Sequence, residues 1–348
     1  MKAAVFAGVR DLRIQTIADP EPTADDIVVR VQSCGICGSD LHSYATGAFV
    51  QPGQVMGHEF CGEVVEVGRG VQGIEKGDVV TAMPYSGCYR CPPCMRGDYH
   101  LCDHIFGHAI AYGLPGAFAE LVRVPRATLG RNVFKLPPGV SSTAGALVEP
   151  LSVAVHAVEL ARPALGSKVV VIGAGLIGQC VIQVLKAKGV GAVVVSEPAA
   201  GRAEMARRSG ADVVVNPAAA DVVRQVAEVV GFGAGGRGAA ADVVFDCAGV
   251  PGALAEAFRL LRPGGTLTVV ALYEEPVRLD PNLLVWKEVR VLGAFGYRDE
   301  FPTAIELLRS GRVKTEFLVT DAFPLDRIAE GFERQRSKDK TLKVVITP

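Results

Sequence analysis

Two hydrophobic rhythms divide the chain. Up to about residue 150, apolar positions come in short β-branched runs broken by glycine and proline, with little helical period. Ile27-Val-Val-Arg-Val31, Gly62-Glu-Val-Val-Glu-Val67 and Asp78-Val-Val-Thr81 are the clearest strands, and Met1 to Gly8 reads as another. This part predicts a small, irregular, mostly β barrel. From about 151 to 290 the rhythm changes to apolar strand, helix, apolar strand, helix. The runs at 169–172, 192–195, 213–215, 243–245 and 267–270 are continuously hydrophobic. Runs of that kind belong to a parallel sheet buried under helices on both faces. The alternation fades after 292, leaving a helix near 299–310 and late strands at Phe317-Leu-Val319 and Leu342-Lys-Val-Val-Ile346.

The second region carries a dinucleotide fingerprint. Gly173-Ala-Gly175-Leu-Ile-Gly178 follows the strand at 169–172 and opens an apolar helix from Leu176 to Lys188. A G-x-G-x-x-G is weak alone and gains meaning from that strand-to-helix context. The first glycine permits the tight turn, the second lets pyrophosphate approach the backbone, and the third lets helix and strand pack closely. The amides at the helix start, Leu176 and Ile177 among them, then face the phosphates. Glu197 stands after the next strand, where an acid bonds a ribose and repels a 2′-phosphate, so NAD is favoured over NADP. Arg202 tempers that exclusion. A second glycine-rich stretch, Gly231 to Gly238, lacks the strand-to-helix context and reads as a flexible surface connection.

At 348 residues the chain exceeds one ordinary domain, so two are expected. Its formal net charge of −1 gives no electrostatic footprint for nucleic acid or an anionic membrane. No apolar run is long enough to span a bilayer, and the first residues turn polar too soon for a secretory signal. A cytoplasmic location is the expectation, and there nine cysteines read as metal ligands or thiols, not a disulfide framework.

Those cysteines are not scattered. Cys88, Cys91, Cys94 and Cys102 have the spacing C-x2-C-x2-C-x7-C, placing four thiolates within fifteen residues. Such a set closes a tetrahedral zinc site with no vacancy for chemistry, so its role is to pin a loop. The last interval departs from the bacterial iron–sulfur run. Upstream, Cys34-Gly-Ile-Cys37-Gly-Ser-Asp-Leu-His42 precedes Val55-Met-Gly-His-Glu-Phe60, and Glu149-Pro150 follows later. Thiolate, imidazole and carboxylate are the ligand types of a catalytic zinc that keeps one position open. Cys34 and Cys37 form a C-x-x-C, but no thioredoxin-like strand–helix pattern surrounds it, and His58 is the better partner for Cys37. Cys34, Cys61, Cys180 and Cys247 read as small buried hydrophobes.

Together these pieces resemble, over the full length, the zinc-dependent medium-chain dehydrogenases, in the branch of sorbitol, butanediol and threonine dehydrogenases. The resemblance rests on Cys37-Gly-Ser-Asp40, Gly57-His-Glu59, the cysteine lobe, Glu149-Pro-Leu-Ser152, the glycine fingerprint and Glu197. It implies an α/β protein with a GroES-like, mostly β catalytic domain (1–152 and 293–348) and a Rossmann doubly wound parallel sheet (153–292). It also implies two zinc ions per subunit, NAD as cofactor, a small alcohol as substrate, and a homotetramer or dimer. Cys37 and His58 match zinc ligands, and Glu59 and Glu149 match two acids sharing the remaining protein position. Ser39 matches the hydroxyl that takes the alcohol proton, His42 a later relay station, and Lys343 a basic residue near the cofactor pyrophosphate.

Within the branch, Ser43 and Gly296 stand where polyol-binding members carry an aromatic residue and an arginine. Phe295-Gly-Tyr297, Asp40-Leu-His42 and Ser196-Glu-Pro198 are closer to butanediol dehydrogenases, and Glu149-Pro-Leu-Ser152 differs from the threonine dehydrogenase form. The expected substrate is a secondary alcohol with a neighbouring oxygen, a vicinal diol such as 2,3-butanediol. The alternative within the branch is a sorbitol/polyol or L-threonine dehydrogenase, since Arg298 could still reach a polyol or an anionic group. The other competing readings are a zinc-free enone or quinone reductase, which needs no Cys37, His58 or Glu149, and a non-catalytic NAD-binding structural or regulatory protein, which would lack an open-site ligand.

Overall fold

The computed structural model describes every residue except 219, 220, 234–237, 338 and 340. The chain opens with β1 (Lys2–Gly8), β2 (Asp11–Thr16) and β3 (Ile27–Gly35), followed by a helix, Gly38–Thr46. Then come β4 (Glu59–Val67), β5 (Val79–Ala82), β6 (Leu121–Val124) and β7 (Val133–Lys135). A long helix, Val148–Ala161, precedes β8 (Lys168–Ile172), β9 (Ala192–Ser196), β10 (Val213–Val215), β11 (Ala241–Asp246), β12 (Leu261–Val269) and β13 (Arg290–Gly293). The chain ends with β14 (Val319–Pro324) and β15 (Lys343–Thr347).

It divides into two compact units. One comprises 1–149, 298–310 and 315–348; the other comprises 150–297 and 311–314. The expected joins after 152 and before 293 stand against 149/150 and 297/298. Nothing in the hydrophobic pattern indicated that 311–314 join the second unit.

The first unit is built on a seven-strand path. The order is β14-β15-β3-β4-β5-β7, with β6 paired to the other end of β3. β3 pairs antiparallel with β4, β6 and β15, so it is the centre of the sheet. Its β-branched start, Ile27-Val-Val, is buried for that reason. The core beneath it takes in Val29, Phe60, Val64, Phe118, Phe332 and Ile346.

The second unit has the order β10-β9-β8-β11-β12-β13, parallel throughout. Strand order reverses next to β8, the switch point where such sheets bind ligands. The buried runs Val169–Val171 and Val193–Val195 explain the unbroken hydrophobicity of these strands.

Two expectations are corrected. β12 begins at Leu261, well before the run at 267–270: Ala241 pairs Leu261 and Val243 pairs Thr266, so Arg262-Pro-Gly-Gly265 is a bulge inside the strand. The late strand expected at 317–319 is β14, Val319–Pro324, because its pairing with β15 is what orders it. Part of the glycine-rich connection at Gly231–Gly238 falls on residues outside the described set; beside it, Phe232 bridges Ala239.

Candidate functional site

Strand pairing brings together the side chains expected as open-site ligands. Gly35 pairs Glu59 and Cys34 pairs Phe60, so the end of β3 lies against the start of β4. Cys37 is just past one and His58 just before the other. Gly57 takes φ +91, and a Cβ there would come within 2.8 Å of the Phe118 ring, which keeps the turn before His58 tight. Ligand atoms of Cys37, His58 and Glu59 all lie within 4.8 Å of one another, with His58 and Glu59 buried. One sulfur, one imidazole nitrogen and one carboxylate oxygen at that spacing fit a zinc ion. Glu149 is outside that trio, buried in the first turn of the helix Val148–Ala161.

Two side chains that the sequence reading left unassigned support the trio. Asp40 Oδ2 accepts from the Cys37 amide at 3.0 Å, capping the helix Gly38–Thr46, while Oδ1 faces His58 Nδ1 at 3.7 Å. A carboxylate behind a ligating histidine orients its ring. Burial opposes charge on His58, but Tyr112, Asp40 and Cys37 outweigh it and hold the imidazole well above its usual pKa. Asp40 was discoverable, as an acid three residues past Cys37 at a helix start. Tyr112 was not: its phenol donates to Ser39 Oγ at 3.0 Å across 73 positions, and its ring centroid is 5.6 Å from that of His58. His42 lies one turn past Ser39 on the same helix, its ring 6.2 Å from Phe49.

Lys343, which the resemblance places near the cofactor pyrophosphate, is positioned by β15. β15 pairs β3 at Val345–Gly35, which carries Lys343 beside the open site. Its Nζ donates to Ile36 O at 2.8 Å and to the two Glu59 oxygens at 2.9 and 2.6 Å. Both side chains are buried, and a buried ammonium needs such partners. Burial works against its charge, yet Glu59 and Cys37 raise its pKa above the usual lysine value. Three acceptors in the first unit thus hold the ammonium.

The cysteine lobe is local. Its four sulfurs lie within 4.8 Å of one another. Zn–S bonds near 2.3 Å in a tetrahedron set sulfurs about 3.8 Å apart, and the Cys91 and Cys102 sulfurs are separated by 3.8 Å. Backbone amides of Cys88 and His104 donate to Cys102 Sγ, and that of Cys91 to Cys88 Sγ. The amides of Arg90 and Cys91 favour the Cys88 thiolate over burial, bringing its pKa to about 6. By contrast burial pushes Cys61 up to about 12 and raises the Cys34 thiol as well, as inert buried thiols.

In the second unit the fingerprint has the geometry its glycines predict. Gly173 takes φ +89, and a Cβ on Gly178 would strike the Gly173 carbonyl oxygen. Gly175 is the N-cap of the helix Leu176–Lys188, whose first residues include Leu176 and Ile177. Glu197 is buried after β9, its two oxygens accepting from the amides of Ala174 and Ala199 at 2.8 Å. Arg202 reaches over the turn: its guanidinium is 3.8 Å from where a Gly175 Cβ would stand.

Comparisons with known proteins agree with this geometry. The profile described as alcohol dehydrogenase GroES-like domain matches residues 23–138, and that described as zinc-binding dehydrogenase matches 177–310. The chain belongs to the zinc-dependent medium-chain dehydrogenase family. It is 38% identical over 336 residues to L-threonine 3-dehydrogenase of Pyrococcus abyssi, covering 94% of this chain and 92% of that one. It is 36% identical to (R,R)-butanediol dehydrogenase of Bacillus subtilis over the full length of both. A zinc-binding dehydrogenase from Sinorhizobium meliloti, solved bound to NADP, has a TM-score of 0.91 and 33% identity, covering 100% of this chain and 99% of that one. The protein is thus a zinc-dependent alcohol dehydrogenase using a nicotinamide cofactor, on a GroES-like domain joined to a Rossmann sheet. No helix among the described residues is long and apolar enough to cross a membrane.

Proposed function

We propose that the protein oxidises a secondary alcohol with a neighbouring oxygen, a vicinal diol of the 2,3-butanediol type, to the ketone, with NAD as acceptor. The observation that carries the substrate choice is Arg298, the cation nearest the missing polyol contacts in sequence. Its guanidinium is engaged by Asp98 and Asp299 at 3.4 Å each, which argues against its serving a polyol or the carboxylate of threonine.

Cys37 and His58 would hold the catalytic zinc, with Glu59 and Glu149 sharing the third protein position, and the cysteine lobe would hold a second ion. Zinc there would supply Lewis acidity to the substrate oxygen, and NAD at the fingerprint would accept the hydride. Ser39 takes the hydroxyl proton and His42 passes it to water. The alcohol would lose a hydride to the bound cofactor and a proton through Ser39 and His42, so that one proton is released per ketone formed. Glu197 supports NAD because two amides fix its carboxylate where a 2′-phosphate would be repelled.

A homotetramer agrees with the exposed apolar side chains at the edge of the parallel sheet, where Val285 and Trp286 precede β13 and Val291 lies in it. A cytoplasmic location agrees with nine free cysteines.

The test follows NAD reduction at about 340 nm by zinc-replete protein given 2,3-butanediol isomers, L-threonine and sorbitol in parallel, with NADP as a second acceptor. The expected result is strong preference for one butanediol isomer with NAD. Preference for L-threonine or sorbitol would overturn the diol reading while leaving the metal and cofactor assignments in place.

A further inference from the structure

Ser39 has a partner that its position in the motif does not predict. A serine hydroxyl offers one proton and two acceptor lone pairs. Proton transfer uses one lone pair to accept from the substrate hydroxyl and the O–H to donate onward, which leaves the other lone pair undefined. The Tyr112 phenol fills it, donating to Ser39 Oγ at 3.0 Å.

Tyr112 is held for this task from several sides. It follows Ala111, which adopts φ +74, a left-handed conformation that alanine takes only when the surroundings impose it. The Ala111 amide donates to Leu114 O at 2.9 Å and the Leu114 amide to Ala109 O at 3.0 Å, closing a tight loop. Gln54 Nε2 donates to the carbonyls of both Ala111 and Tyr112, pinning the tip of that loop to the segment before His58. The ring then lies against His58 on one side and edge-on to Phe106 on the other, centroids 5.6 Å apart in each case. The same loop and Gln54 line an open cavity of about 640 Å³ in the first unit. Tyr112 is among the residues lining that cavity, and its hydroxyl is bonded to a serine.

We propose that Tyr112 is a positioning residue of this dehydrogenase: by donating to Ser39 Oγ it orients the Ser39 hydroxyl for proton transfer and holds it beside His58. The inference rests on the reading of Ser39 as the proton-transfer hydroxyl. Tyr112 touches neither the transferred hydride nor the proton, and acts through Ser39. Phenylalanine at 112 would keep the ring against His58 and Phe106 and remove only the hydrogen bond.

The experiment is a double-mutant cycle on the full-length, zinc-replete protein: wild type, Tyr112→Phe, Ser39→Ala, and both together. Turnover is measured with NAD and whichever of 2,3-butanediol, L-threonine and sorbitol reacts fastest; zinc content and the thermal unfolding midpoint are measured for all four proteins. Ser39→Ala is expected to lower kcat by about 100-fold or more. Tyr112→Phe is expected to lower kcat by about 3- to 10-fold, the range of one hydrogen bond, with KM and zinc content unchanged. In the Ser39→Ala background it is expected to have no further effect on kcat or on the unfolding midpoint. An unchanged kcat in Tyr112→Phe, an equal loss in both backgrounds, or a loss confined to KM would overturn the inference. Full activity in Ser39→Ala would instead overturn the relay reading, and the role of Tyr112 with it. The unfolding cycle needs no substrate: additive midpoint shifts would show that the two hydroxyls are not coupled.

Discussion

The four-cysteine lobe and the Cys37–His58–Glu59 site both gather metal-binding atoms within 4.8 Å, yet they are assembled in opposite ways. All four lobe ligands fall within fifteen residues, and neighbouring backbone amides bond to their sulfurs. A small satellite cluster with Ile105, Tyr85 and Tyr99 packs around them. The open site draws its ligands from the ends of two paired strands, and its supporting groups, Lys343 and Tyr112, from 284 and 73 positions away along the chain. A site that must leave room for substrate cannot satisfy its geometry with its own ligands. It depends on the surrounding fold to hold them apart.

That contrast can be broken at the open site first. Alanine at Cys37 or His58 removes a ligand that no neighbour replaces, and turnover is expected to fall by at least about 1000-fold. NAD binding, followed by fluorescence titration, should be unchanged, because the fingerprint belongs to the other unit. Full activity in either variant would refute the open site. A smaller but still large effect is expected from Lys343→Met, which strands the buried Glu59 carboxylate. Removing one partner of a buried pair costs roughly 3–5 kcal/mol, so denaturant unfolding should show that loss. Saturating zinc should reduce it if Glu59 is a ligand; an equal loss with and without zinc would assign the ligand role to Glu149.

The lobe sharpens the comparison from the other side. Cys94→Ser should halve the zinc content measured by elemental analysis and unfold the lobe locally, because metal affinity there is folding free energy. Turnover per remaining catalytic zinc is expected to change by less than in any open-site variant. A loss as complete as that of Cys37→Ala would mean the two sites are not independent.

Much of this was legible along the chain because it is local. The unbroken valine runs of β8, β9 and β10 announced a buried parallel sheet, and Gly173, Gly175 and Gly178 announced the turn that the strand and helix impose. The cysteine spacing announced its own cluster. Where the reading slipped, a local signal was overruled by pairing. The hydrophobic run marked only 267–270, and the strand reaches back to Leu261 through a bulge because β11 continues alongside. Phe317-Leu-Val319 looked like a strand, but β15 pairs only from Val319 onward.

The residue types at the metal sites, the fingerprint and the family were determined by the sequence alone, since each depends on spacing over a few residues or on one helical or strand period. Only the tertiary structure decided that Lys343 neutralises Glu59, that Asp40 stands behind His58, and that Tyr112 meets Ser39. Those contacts follow from antiparallel pairing of β15 with β3 and of β3 with β4, and from a loop clamped by Gln54. No periodicity encodes such meetings. They exist because buried charges and hydroxyls must find partners, and the partner is whatever the packed sheet brings within about 3 Å.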